Sequence, residues 1–235
     1  MAAVAASAGG AAAAAPTAGS HTAKATPLSA GHILVRGVSA PPSTSWCLTN
    51  FYGLHCYGPQ QLAVAYHLAP LWNKGLDGHG RTIVIVDSFG SPTIGADLHA
   101  FDQAYGLPDP PSLKVIQPAG APPAFDPTNS DMSGWAFETS LDVEYAHAMA
   151  PGAKILLVET PVSETEGVTG FPEIVQAENY VINHHLGDVI SQSFGATEQT
   201  FPSRQSVLDL RSAFIAAAKA HISVLGASGD AGPTD

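Results

Sequence analysis

Three short, nearly unbroken apolar runs, TIVIV at 82–86, KILLV at 154–158 and VIS at 189–191, are separated by segments of helical periodicity. A strand that is apolar on consecutive residues has both faces covered, and strands alternating with helices indicate a parallel sheet flanked by helices. The intervening segments are ADLHAFDQAYG, WAFETSLDVEYAHAMA, PEIVQAENYVINHHLG and RQSVLDLRSAFIAAAKAH, and SVLGASGD supplies a further strand. Pro172 and Gly187 mark the start and end of one helix. Upstream, YGPQQLAVAYHLAPLW at 57–72 reads as one short helix entered at Pro59.

Composition agrees with a globular α/β domain. Of 235 residues, 45% are hydrophobic and 12% charged, enough to bury a substantial core. Residues 1–45 are low in complexity and read as leader and linker, leaving 46–235 as the folded unit. The first twenty residues, rich in Ala and Gly and uncharged, resemble a signal-peptide hydrophobic region without its basic start, so a secreted, extracellular protein is expected. The net charge of −11 argues against nucleic acid and anionic membrane surfaces as partners. No later apolar run approaches the roughly 18 residues a membrane span needs. Cys47 and Cys56 flank a short Gly/Tyr-containing loop, and a disulfide is favoured over two free thiols because no metal-ligand spacing competes.

In a parallel sheet, functional groups gather at the carboxyl ends of strands, here Asp87, Glu159, the SQSFG turn and Asp230. Glu138 and Asp142 are four residues apart in ETSLD, so both carboxylates share one helix face, with Ser133 the expected cap. Spacing alone leaves two readings. The pair is either a solvated acidic face, or two carboxylates that cannot easily ionise together, one accepting a proton while the other orients it. Asp230, after a strand and among small residues, is either a turn cap or a group close to a substrate backbone. The sequence DSFGSPTIGADL lacks the glycine spacing of a dinucleotide site, and no His-Gly-Thr-His block accompanies Asp87.

In their order along the chain, CYGPQQLAVAY, GHGRTIVIVDSFGSPTIGADLHAFDQAYGLP, FETSLDVEYAHAMAPGAKILLVE, VISQSFGATE and VLGASGDAG resemble the sedolisin family of serine-carboxyl peptidases. The resemblance runs from about Cys56 to the end of the chain. It implies a subtilisin-like α/β fold that hydrolyses peptide bonds in proteins or peptides at acidic pH. Glu138 takes the place of a catalytic histidine as general base toward serine, and Asp142 holds Glu138. Asp230 matches the acid that, protonated, donates to the oxyanion. Asp87 matches a position that extends the hydrogen-bond network to the Glu/Asp pair.

Two departures accompany the likeness. Phe194 stands in SQSFG where many relatives carry tryptophan, which removes an indole donor. No Gly-Thr-Ser occurs in the 235 residues, so the family's nucleophile is absent. The block that carries it, together with one calcium site, lies downstream of the S-x-G-D turn in the family. The expectation is therefore a chain that stops before that part and is inactive alone. The rival is a non-catalytic pseudo-peptidase that binds peptides or acts as a scaffold.

Overall fold

The structure, a computed structural model, describes residues 41–50, 55–165 and 167–229. Its centre is a five-stranded sheet in the order β2-β3-β1-β4-β5, with every neighbouring pair parallel. The strands are β1 (Thr82–Ser88), β2 (Leu113–Ile116), β3 (Lys154–Thr160), β4 (Val189–Gln192) and β5 (Ser223–Gly226). The helices are α1 (Thr44–Asn50), α2 (Pro59–Ala65), α3 (Ala69–Trp72), α4 (Ile94–Tyr105), α5 (Ser130–Met149), α6 (Phe171–Asn183), α7 (Arg204–Asp209) and α8 (Ser212–Ala220). The parallel α/β architecture read from the apolar runs is the one observed.

Period-two alternation divides the core. Val84, Val86, Leu156, Val158 and Ile190 point to one face, where they join Ile174, Ala177 and Val181 of α6 and Ala213 and Ala217 of α8. Ile85, Ile155 and Leu157 point to the other, against Ile94 and Leu98 of α4 and Val143 of α5. By the same alternation Asp87 and Glu159 belong to the face covered by α5, and the register sets them side by side at the carboxyl ends of β1 and β3.

The structure differs from the expected elements at four places. Residues 57–72 form two helices, because Pro70 has no N–H to donate and His67 turns the chain with φ of 54°. The helix carrying Glu138 and Asp142 begins before Ser133. Its N-cap is Asn129, whose side chain accepts from the backbone N–H groups of Asp131 and Met132, while Ser133 Oγ donates to the Pro127 carbonyl. The segment 204–221 divides at Leu210, where N–H bonds to the third preceding carbonyl replace the helical pattern. Strand β2, an edge strand of four residues with Lys114 and Val115 exposed, gave too short an apolar signal to be expected.

Cys47 and Cys56 are joined as a disulfide with Cα atoms 5.9 Å apart. The bridge ties α1 to the segment entering α2, and Thr44 Oγ1 donates to the Cys56 carbonyl at 2.7 Å. Among the described residues no helix is long and apolar enough to cross a membrane.

Candidate active site

Helix α5 presents Glu138 and Asp142, one turn apart, to the carboxyl end of the sheet. Glu138 is 7% exposed, and Asp87, at the end of β1, is fully enclosed. Burial is the largest influence raising Asp87 well above the ordinary carboxylate range, followed by the charge of Asp142; the Thr139 hydroxyl opposes, and Glu138 and Glu159 add to the rise. Asp87 therefore lies within electrostatic reach of both members of the pair. The structure brings together the three acids singled out on β1 and α5.

Asp142 is fixed from the opposite side. Ser193, the first residue past β4, donates from Oγ to Asp142 Oδ1 at 2.8 Å. Burial pushes Asp142 up to about 6, with the Ser193 hydrogen bond opposing. Oδ2 is enclosed and has no partner among the described residues, so it is the oxygen left to carry a proton. Ser193 lies in the SQSFG turn expected among the functional strand ends, and its position in that turn marks it as the residue facing the acids. In a strand ending at Gln192, alternation sends residue 193 to the face opposite residue 192, toward α5.

Glu159 forms the border of the cluster. It accepts a 2.7 Å hydrogen bond from the Gln117 amide, and burial holds its carboxyl above the ordinary range. Gly90 follows β1 with φ of +75°, and a Cβ there would collide with the Glu159 carboxylate, so the turn after Asp87 needs a glycine. Ser88, which points to the other face, accepts from the Glu164 N–H at 2.9 Å and anchors the loop after β3.

Asp230 lies outside the described residues. The described chain that leads toward it leaves β5 beside β4, where the Ala227 N–H donates to the Gln192 carbonyl at 2.9 Å. Phe194, the residue standing where relatives carry tryptophan, packs edge-on against Phe171 at a centroid distance of 6.1 Å.

Other faces of α5 carry a second buried polar group. His147 is fully enclosed; its Nε2 donates to the Pro108 carbonyl at 2.7 Å and lies 3.4 Å from Asp102 Oδ1. Burial and the charges of Asp97 and Asp102 push Glu144 up to about 8. Glu144 and His147 are two and five positions beyond Asp142, about 160° and 140° away around the helix. They belong to the packing of α5 on α4. A cavity of about 460 Å³ between α2, α3 and Leu107 is lined by none of the clustered acids. Among the described residues no group of three or more His, Cys, Asp or Glu is arranged to hold a metal ion.

The arrangement can store and pass protons. Burial favours the neutral forms of Asp87 and Asp142, and for Asp87 the charges of neighbouring acids add to it. Such a cluster is suited to general acid–base work below neutral pH.

No protein-family model matches the chain. Kumamolisin of Bacillus sp. (strain MN-32) is 30% identical over 180 residues, which cover 76% of this chain and 30% of that protein. The chain thus spans under a third of the length of this curated relative. A solved structure of Pseudomonas sedolisin, a serine-carboxyl proteinase complexed with two molecules of pseudo-iodotyrostatin, superposes with a TM-score of 0.47. It is 22% identical and the match covers 62% of this chain and 38% of that one.

Proposed function

The chain belongs to the sedolisin family, and on that premise we propose that it is the N-terminal part of the catalytic domain of an acid-active serine-type peptidase hydrolysing peptide bonds in proteins or peptides. The observation that carries this reading is the burial of Asp87 and Glu138 beside the half-buried Asp142 at the carboxyl edge of the sheet.

Glu138, as carboxylate, removes the proton from a serine hydroxyl as its oxygen attacks the substrate carbonyl, then returns it to the departing amine. Asp142 orients Glu138. While Asp142 holds its proton, it places no negative charge one helical turn from the base; above about pH 6 it ionises, and the pair repels. Asp87 supports the pair from β1 as a further neutral acid. Asp230, kept protonated, donates to the developing oxyanion and loses that capacity when it ionises. Two steps therefore fail as pH rises.

These residues hold no Gly-Thr-Ser, and the proposal assigns the serine to a part of the protein outside the given sequence. The calcium ion implied by the family belongs to that same portion, and no catalytic step passes through it. Secretion is part of the proposal, supported by the uncharged Ala/Gly-rich start and the Cys47–Cys56 disulfide.

The rival is a peptide-binding pseudo-peptidase, which would keep the enclosed acids without a nucleophile. The coding frame after Asp235 separates the two: a Gly-Thr-Ser block within the next hundred or so codons supports the enzyme, and a stop codon the rival. The functional test is hydrolysis of denatured protein by the complete protein at pH 4 and pH 7, alongside Asp142→Ala and Asp230→Ala. Activity confined to acid and lost in both variants is expected, whereas wild-type rates in both would overturn the assignment.

A further inference from the structure

Helix α6 buries an ionisable group that the proposed chemistry does not use. Glu178 is 1% exposed, on the face whose other members, Ile174, Ala177 and Val181, join the apolar core under the sheet. Its Oε1 accepts a hydrogen bond from the Gln192 amide of β4. A pair of polar side chains in such a place costs desolvation that an apolar pair of similar volume avoids, so stability does not explain it.

Its consequence lies in what Gln192 holds. Gln192 is the last paired residue of β4, opposite Val86 of β1 and Gly226 of β5. Its carbonyl accepts from the Ala227 N–H, and its side chain is anchored by Glu178. The next residue, Ser193, has left the ladder, yet it makes the 2.8 Å bond to Asp142. Successive strand residues point to opposite faces, so clamping Gln192 toward α6 aims Ser193 toward α5.

We propose that Glu178 is a positioning residue of the peptidase site: by clamping Gln192 it fixes where β4 delivers the Ser193 hydroxyl to Asp142. This rests on the peptidase reading of Asp142. Glu178 touches neither the acid cluster nor substrate and acts through one strand end.

The test follows the Asp142 carboxyl carbon by NMR from pH 3 to pH 9 in the full chain. Ser193→Ala removes a bond that favours the charged form and raises the Asp142 midpoint by about one pH unit. Glu178→Leu and Gln192→Leu each raise it in the same direction, by at least half as much, and add little to Ser193→Ala. Glu178→Gln, whose amide still bonds Gln192, leaves it at the wild-type value. Val181→Ala, a cavity on the same helix face, lowers the melting temperature without moving the midpoint. An unmoved midpoint in whichever of Glu178→Leu and Gln192→Leu folds, or an equal shift in Val181→Ala, overturns the proposal. The readout needs no proteolysis. Coupling as expected with wild-type proteolysis in Asp142→Ala would overturn the peptidase reading and leave the Glu178–Asp142 coupling standing as a structural relay.

Discussion

Raising the pH from 4.5 to 8 should destabilise this chain, and Glu178→Gln should remove a defined share of that loss. Burial, with the Gln192 hydrogen bond opposing, lifts Glu178 from 4.5 to about 7. Between these values the folded state binds a proton that the unfolded state has released, so stability falls as pH rises. The contribution is fully present below about pH 4.5 and lost as pH climbs through 7. A rise of two to three units corresponds to about 3 kcal/mol. Glutamine keeps the shape and a hydrogen bond to Gln192 but has no proton to lose. Urea denaturation at pH 4.5, 6 and 8 gives the unfolding free energy for both proteins. Asp87, Asp142 and Glu144 impose a loss of the same sign on each, so the difference between the two slopes isolates Glu178. The wild-type protein should lose about 3 kcal/mol more than the variant across this range. Parallel curves would refute the argument that the Glu178 carboxyl is held neutral by burial.

Three further outcomes can be measured on the same chain. Asn129→Ala removes the cap of the helix that carries Glu138 and Asp142 and should cost about 1 kcal/mol in urea denaturation. Gly90→Ala, at a φ of +75° where a Cβ meets the Glu159 carboxylate, should cost more than about 2 kcal/mol in the same assay. Reducing the Cys47–Cys56 bridge, which closes a loop of sequence separation 9, should lower stability by up to about 3 kcal/mol in thermal melts with and without reductant.

The fold was largely legible because its strongest signal is local. TIVIV, KILLV and VIS each became a strand, and the helices between them cover both faces of the sheet. The elements that escaped were those whose outcome depends on short or competing signals. Asn129 and Ser133 are both capping residues, and only the structure shows which one's side chain meets the free N–H groups. His67 occupies a left-handed conformation that no residue type around it announces. The site was half legible. ETSLD puts two carboxylates on one face of α5, but that the face is enclosed depends on Asp87, contributed by a strand fifty residues earlier. Ser193 and Glu178 reach their partners across the sheet, a placement set by tertiary packing.

The role of Glu138 as the base of a peptidase is tested by peptide cleavage by the complete protein carrying Glu138→Gln, with peptide binding measured in parallel. Loss of the base should lower kcat by about a thousandfold or more while the dissociation constant for a peptide changes only a few-fold. Cleavage at the wild-type rate would contradict the assignment of Glu138, and with it the reading of the enclosed acids as catalytic machinery.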